Sequence, residues 1–235
     1  MNRILKPEKS ISGFTIVELL IATAVFAVVL LVAQASFVQI GHLFYRGVSI
    51  NQTQDAADHI FQDINGNFQT APNVGGSVNS PAGGYDYYCI GNTRYTYNIN
   101  YEVDTSAAPN HAPYDQTTHT GGNYGILKDT LPGAGAQCAT PCNDTSGSPC
   151  PSGTVKLNNP AELLGNKMRI EQFDVTESTP TSNLYNVSII LAYGDDNTLT
   201  YRTPGDYSTV TCQGDSSNDF CAVSSVNTAV YKGGH

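Results

Sequence analysis

The sequence predicts an α+β fold, in which a long N-terminal α-helix carries an antiparallel β-sheet packed on its distal half. Three observations support this prediction. Residues 14–40 form an almost uninterrupted apolar run, no proline occurs between Pro7 and Pro72, and alternating strand-like segments follow in the rest of the chain. Because proline breaks helices and an apolar stripe with helical spacing continues beyond the run, one helix over about residues 14–69 is expected.

The first half of the predicted helix is suited to a membrane. About 20 apolar helical residues cross the hydrocarbon core of a bilayer, and residues 14–40 exceed that length. The preceding segment, residues 1–13, carries Arg3, Lys6 and Lys9 against Glu8, and positive residues of this kind stay on the cytoplasmic side. We therefore expect a leader over residues 1–13, a membrane-spanning segment over residues 14–40, and the rest of the chain outside the cytoplasm.

The second half of the helix, residues 41–70, is predicted to be amphipathic. Its apolar positions recur mostly at every fourth residue, as on one face of a helix. This stripe consists of Ile40, Phe44, Val48, Ala56, Ile60, Ile64 and Phe68. The opposite face is predicted to carry Gln52, Asp55, Asp58, Gln62 and Asp63. A globular head over residues 71–235 is expected to cover the stripe, and His42 and His59 on this helix are assigned no function.

Glu18 is the one charged residue within the apolar run. An unpaired carboxylate inside hydrocarbon costs ~3 kcal/mol or more on insertion scales. A residue that is this unfavourable in a membrane indicates a function, and we expect it to have a positively charged partner.

The residues around Glu18 resemble the processing motif of type IV prepilins and pseudopilins. The matching segment is Gly13-Phe14-Thr15-Ile16-Val17-Glu18-Leu19-Leu20. It combines a basic leader, a glycine before the cut, a phenylalanine after it and a glutamate at the fifth mature position, and the resemblance covers roughly residues 1–70. It implies that a prepilin peptidase cuts between Gly13 and Phe14 and then methylates the amine of Phe14. It also implies that Glu18 pairs with the Phe14 amine of a neighbouring subunit in a filament.

The resemblance implies a structural subunit of a type IV pilus or a related pseudopilus. Its partners would be other pilin subunits, prepilin peptidase, the membrane and assembly platform proteins. The protein would lie in the cytoplasmic membrane before assembly and in an extracellular or periplasmic filament afterwards. Many major pilins have a helix-breaking proline at the position that Ala35 occupies here. Its absence favours a minor pilin or pseudopilin, while a major pilin, an adhesin and a DNA-uptake subunit remain alternatives.

Two other interpretations of the N-terminus compete with the prepilin motif. Ala33-Gln34-Ala35 fits the cleavage pattern of a secretory signal, which would release a chain that begins at Ser36. Glu18 would then lie inside the hydrophobic part of the signal, which is unfavourable. A plain membrane anchor without processing would leave both Glu18 and the glycine–phenylalanine junction unexplained.

The head is predicted to be rich in strands. Tyr95, Tyr97, Ile99, Tyr101 and Val103 alternate with polar residues, which indicates one strand with an aromatic face. We expect this face to pack on the helix, rather than to form an adhesive surface. Further strands are predicted over residues 167–175, 184–193, 198–202, 220–223 and 229–232, with a short helical turn at residues 161–164. Residues 194–197, Gly-Asp-Asp-Asn, predict a hairpin turn between two of these strands.

Six cysteines in a chain that is exported predict disulfides. They are Cys89, Cys138, Cys142, Cys150, Cys212 and Cys221. Cys212–Cys221 is the favoured pair, because the segment QGDSSNDF between them is polar and contains a glycine; it also resembles the exposed disulfide-bounded loop of many pilins. Cys142–Cys150 with Cys89–Cys138 is the preferred arrangement of the rest. Zinc held by some of Cys138, Cys142 and Cys150 is the alternative.

Charge and motifs argue against several other functions. The net charge of -9, with no basic run after residue 9, disfavours nucleic acid, since phosphate binding requires clustered Lys and Arg. The sequence contains no GxSxG, HExxH or P-loop motif, so neither an enzyme nor a cofactor is expected. Calcium at Asp195 and Asp196, or a metal at His111, Asp115 and His119, is a weaker interpretation than turns and loops.

Overall fold

The computed structural model describes residues 13–77, 86–103, 124–131, 138, 140–142, 154–179, 183–203, 205–213 and 220–233. Over these ranges the chain forms one long α-helix followed by β-strands, which confirms the predicted α+β class. The chain divides into two units, with the boundary between Phe44 and Tyr45.

The helix, α1, spans Ile16–Thr70 and therefore agrees closely with the predicted residues 14–69. The strands described in the first half of the head are β1 Val74–Ser77, β2 Asp86–Ile90, β3 Thr93–Tyr97, β4 Ile126–Thr130, β5 Thr140–Cys142 and β6 Thr154–Lys156. Those in the second half are β7 Ala161–Glu162, β8 Met168–Glu177, β9 Leu184–Tyr193, β10 Leu199–Tyr201, β11 Val210–Cys212 and β12 Ala222–Tyr231. A short 3-10 helix, Tyr207–Thr209, precedes β11.

The strands form two main antiparallel sheets. One has five strands in the order β1-β2-β3-β4-β7, and the other has three in the order β12-β9-β8. Two small pairs complete the described strands: β10 with β11, which is antiparallel, and β5 with β6, which is parallel. A single bridge between Ile99 and Ile170 connects the segment after β3 to β8.

The second part of α1 packs against the sheets. Its buried residues are Ser49, Thr53, Ala57, Ile60, Ile64 and Phe68, spaced three or four apart as one helical face requires. The last four of these residues share a core with residues from both sheets, including Tyr88, Ile126, Ile170 and Ile189. The predicted apolar stripe is therefore confirmed for its last members, Ile60, Ile64 and Phe68. Its first members, Ile40 and Phe44, precede Tyr45 and are 61% and 66% exposed.

Polar side chains also join the helix to the five-stranded sheet. Tyr95 donates its hydroxyl to Asp63 Oδ2 at 2.6 Å, and Asn67 Nδ2 donates to the same hydroxyl at 2.7 Å. Lys128 forms an ion pair with Asp63. Burial, with the hydrogen bond to Asp63, raises the pKa of Tyr95 well above its usual value. Asp63, which was predicted on the face opposite the apolar stripe, therefore contacts the sheet, which supplies it with both a donor and a cation.

The aromatic strand is shorter than predicted. Tyr95 and Tyr97 are buried, as expected of a face that packs on the helix. However, β3 ends at Tyr97, and Asn100 has a φ of 59°, in the left-handed region that interrupts a strand. The predicted continuation to Val103 is therefore wrong.

Two predictions about the turn regions are also wrong. Residues 161–164 contain the strand β7 and no helical turn, because the Glu162 carboxylate accepts the backbone N–H groups of Gly125, Ile126 and Leu164. These bonds hold the segment extended beside β4.

Residues 194–197 form a turn without a hairpin, because β9 pairs with β8 and β12 whereas β10 pairs with β11.

The C-terminal end of the head is one strand, where two short ones were predicted. β12 runs over ten residues and pairs with β9 along its whole length. Beyond it, the N–H of Gly233 donates to the Phe68 carbonyl at 3.2 Å, at the end of α1. A Cβ atom at Gly233 would lie 1.9 Å from the Gln69 carbonyl oxygen, so this close approach requires glycine.

We predict that Tyr95→Phe weakens the attachment of the helix to the sheet. The variant keeps the ring and removes the hydroxyl shared by Asp63 and Asn67, so the free energy of unfolding should fall by about 1–2 kcal/mol. Chemical denaturation of the full chain in detergent measures the change. Tyr231→Phe is the matched control, because Tyr231 is 60% exposed. An unchanged stability for Tyr95→Phe would contradict the packing described here.

Candidate functional site

The glycine–phenylalanine junction lies outside the helix. Gly13 and Phe14 precede Ile16, where α1 begins, and Phe14 is 83% exposed. No heavy atom lies within 4 Å of the position that a Cβ on Gly13 would occupy. The peptide bond between these residues is therefore non-helical and accessible, as a scissile bond must be.

Thr15 and Glu18 form a capping box at the start of α1. The Thr15 hydroxyl oxygen accepts the backbone N–H of Glu18 at 3.2 Å. In return, Glu18 Oε2 accepts the Thr15 N–H at 2.9 Å and the Thr15 hydroxyl at 2.8 Å. This reciprocal arrangement satisfies backbone donors that the first turn of a helix leaves unpaired. The capping box was not predicted, although the pattern Thr-x-x-Glu before an apolar run is its usual signature.

The capping box uses only one of the two carboxylate oxygens of Glu18. Oε2 receives both bonds from Thr15, and within the described residues no hydrogen bond reaches Oε1. The side chain is exposed. The free oxygen is available to a donor from another molecule, while the helix keeps its cap.

Apolar side chains cover the helix on all sides in the first unit. Its large apolar residues up to Phe44 are between 43% exposed, at Leu30, and 83% exposed, at Phe14. A helix that is apolar all round belongs in a membrane or in a packed core. In the described part of the chain, α1 is the one helix long and apolar enough to cross a membrane.

Two disulfides occur among the described residues. Cys212 joins Cys221, with their Cα atoms 5.7 Å apart, and Cys89 joins Cys138, with a Cα separation of 5.6 Å. Both are pairs that the sequence favours. Because Cys138 is a disulfide partner, it cannot serve as the thiolate ligand of the alternative zinc site. The side chain of Cys142 and all of Cys150 lie outside the described residues.

The acidic turn at residues 194–197 is paired with cations of the head. Asp195 Oδ1 accepts from Lys167 Nζ at 2.8 Å, and Asp196 Oδ1 accepts from Arg169 Nη1 at 2.5 Å. Arg169 Nη2 also donates to Glu102 Oε2 at 2.8 Å. These contacts favour a structural turn over a calcium site at Asp195 and Asp196. The described residues contain no group of three or more His, Cys, Asp or Glu side chains placed to hold a metal; His111, Asp115 and His119 lie outside them.

Buried charged side chains of the sheets were not anticipated from the sequence. Arg94 binds Asp129 through two hydrogen bonds, Nε to Oδ1 at 2.9 Å and Nη2 to Oδ2 at 2.6 Å. Glu171 accepts the Tyr201 hydroxyl at 3.1 Å, and burial raises the pKa of its carboxyl to about 7. Arg94, Asp129 and Glu171 are at most 3% exposed, whereas charged residues are mostly exposed in folded proteins.

Comparison with known proteins identifies the N-terminal segment. Residues 9–33 match the family model described as the prokaryotic N-terminal methylation motif. No curated protein and no solved structure matches the chain. The motif, together with the long apolar helix and the antiparallel sheets, supports a type IV pilin or pseudopilin.

We predict that the native protein contains Cys212–Cys221 and Cys89–Cys138, which leaves Cys142–Cys150 as the third pair. Non-reducing peptide mapping identifies each link directly. The described pairs should appear as two separate linked peptides that dissociate on reduction. Cys212 linked to any other cysteine, or free to react with an alkylating reagent, would contradict the prediction.

Proposed function

We propose that this chain is a subunit of a type IV pilus or a related pseudopilus, processed by prepilin peptidase after Gly13. The observation that carries the proposal is Glu18, a lone carboxylate within the exposed apolar part of α1. It lies within the matched methylation motif and four residues after Phe14. This combination is expected of a residue that receives a charged partner when subunits assemble.

Processing creates the partner that Glu18 needs. Cleavage removes residues 1–13 and leaves a new amine on Phe14, which the same peptidase methylates. The exposed, non-helical junction supports this step, because the bond is open to a protease. In the mature chain, residues 14–40 form the membrane-spanning and assembly segment, residues 41–70 the amphipathic helix, and residues 71–235 the disulfide-containing head.

Assembly neutralises two charges in an apolar environment. The Phe14 amine of one subunit pairs with the Glu18 carboxylate of the next, so that neither charge remains uncompensated among packed apolar helices. The capping box supports this pairing, since Glu18 Oε1 accepts no hydrogen bond within the described residues. Before assembly the subunit lies in the cytoplasmic membrane with its head outside, and platform proteins transfer it to the extracellular or periplasmic filament.

The continuous helix favours a minor pilin or a pseudopilin. α1 passes through Ala35 without a break, at the position where many major pilins have a proline. A minor subunit is present in few copies per filament. Its function is therefore measured by how much of it is incorporated into filaments, rather than by the number of filaments.

We predict that Glu18→Gln lowers the amount of this chain in filaments, relative to the amount in membranes. Glutamine retains the capping box, because its side-chain oxygen also accepts the Thr15 N–H, but it removes the negative charge. Quantitative immunoblots of sheared filaments and of membranes from cells that express the variant measure this ratio. Asp58→Gln is the matched control, because Asp58 is an exposed acid on the same helix outside the motif.

The comparison separates assembly from helix capping. If Glu18 served only the cap, Glu18→Gln would be incorporated as well as the natural chain, and Thr15→Val would be the harmful substitution. That pattern would overturn the assembly role. Membrane levels of Glu18→Gln should be at least those of the natural chain, because the variant removes a charge that disfavours insertion.

A further inference from the structure

Two aromatic rings meet at the first residue of the second unit. The rings of Tyr45 and Phe220 have centroids 5.2 Å apart and are tilted by 45°. Tyr45 is 53% exposed and Phe220 is 51% exposed. Contacts between aromatic rings stabilise a fold by more than their buried area alone would. About half of each ring nevertheless remains exposed to solvent. The pair is therefore an exposed apolar patch, with Val223 of β12 also 36% exposed nearby in sequence.

The disulfide restricts the position of Phe220. Phe220 directly precedes Cys221, which is bonded to Cys212 at the end of β11. On its other side, β12 begins at Ala222 and is paired with β9. A phenylalanine in an unconstrained loop could bury its ring in the core. Phe220 is instead held beside Tyr45 of α1, because the disulfide and the pairing of β12 restrict its backbone.

The length of the apolar helix places Tyr45 at a membrane surface. At 1.5 Å per residue, the helix from Ile16 to Phe44 is about 43 Å long. A bilayer including its headgroup layers is about 40–45 Å thick. If the helix starts at one surface, Phe44 reaches the other, and the next residue in the chain is Tyr45.

The residues at this point have the chemistry of a membrane interface. Tyrosine is enriched at the headgroup level, because its ring is apolar and its hydroxyl is polar. Arg46 follows and is exposed, and a guanidinium matches the geometry of lipid phosphates. Half-exposed aromatic rings are costly in water, whereas aromatic rings and a cation are both favourable between acyl chains and headgroups.

We propose that Tyr45 and Phe220 form an interfacial anchor, through which the head of the unassembled subunit binds the phospholipid headgroup layer. The proposal rests on the membrane location in the proposed function. Phospholipid is the expected occupant because the patch continues the apolar segment along the chain and lies next to Arg46. It also assigns a role to the Cys212–Cys221 disulfide, which holds Phe220 at the membrane.

The head offers a matched control at its opposite end. β12 leads from Phe220 beside Tyr45 to Gly233, which donates to the Phe68 carbonyl. Tyr45 and Phe68 are about 35 Å apart along the helix at 1.5 Å per residue. Tyr231 lies near this far end and is 60% exposed, so it is an exposed aromatic on the same strand but distant from the proposed anchor.

Single tryptophans report on the anchor directly, because the natural chain contains no tryptophan. Phe220→Trp and Tyr231→Trp are each reconstituted, as full chains, into phosphatidylcholine–phosphatidylglycerol vesicles with or without lipids brominated near the headgroup end of the acyl chain. Bromine quenches tryptophan only at short range. Phe220→Trp should lose emission in the brominated vesicles, and Tyr231→Trp should keep it. Tyr45→Ser in the Phe220→Trp chain should reduce the loss.

A third variant separates failure of the anchor from failure of the proposed function. Phe26→Trp lies in the middle of the apolar run and should be quenched by lipids brominated near the end of the acyl chain. Quenching of Phe26→Trp without quenching of Phe220→Trp would overturn the anchor alone. Emission of Phe220→Trp that is blue-shifted but insensitive to bromine would mean that a second copy covers the patch, which also overturns it. An unquenched Phe26→Trp would contradict the membrane location itself.

Discussion

The apolar surface of one helix is the constraint on which the rest of the structure depends. α1 is 55 residues long; its large apolar residues are exposed up to Phe44, whereas Ile60, Ile64 and Phe68 are buried. Exposed apolar surface of this extent is unstable in water, so the first part requires lipid or neighbouring helices and the second requires the sheets. The aromatic residues Tyr95 and Tyr97 of β3 are buried for the same reason.

Glu18 is the one charged residue in the apolar run of residues 14–40, and it therefore indicates a function. A carboxylate is unfavourable in an apolar segment unless it has partners. The capping box supplies internal partners for one oxygen from Thr15, which stabilises the first turn without neutralising the charge. Neutralisation needs a cation, and in the proposed processing the nearest such group is the amine released at Phe14. The proposed assembly and the capping of the helix would therefore use the same side chain without conflict.

The sequence predicts the features that follow from the pattern of apolar residues. It does not predict local structure that depends on single polar contacts between distant residues. Residues 184–193 were predicted as a strand and form β9 with the same bounds, because their alternation is set by a buried face. The contacts of Asp63 with the sheet could not be predicted, because Tyr95 and Lys128, its partners, lie far away in the chain. Glu162 likewise holds β7 extended through N–H groups more than 30 residues distant, which no local pattern indicates.

The central claim is that this chain is a processed filament subunit, and the N-terminus of the mature protein tests it most directly. Mass spectrometry of the protein purified from its natural membrane should give a chain that begins at Phe14 and carries one N-methyl group. A chain that begins at Ser36 would identify a cleaved secretory signal, and one that retains residues 1–13 would identify an unprocessed anchor. Either result would contradict the account.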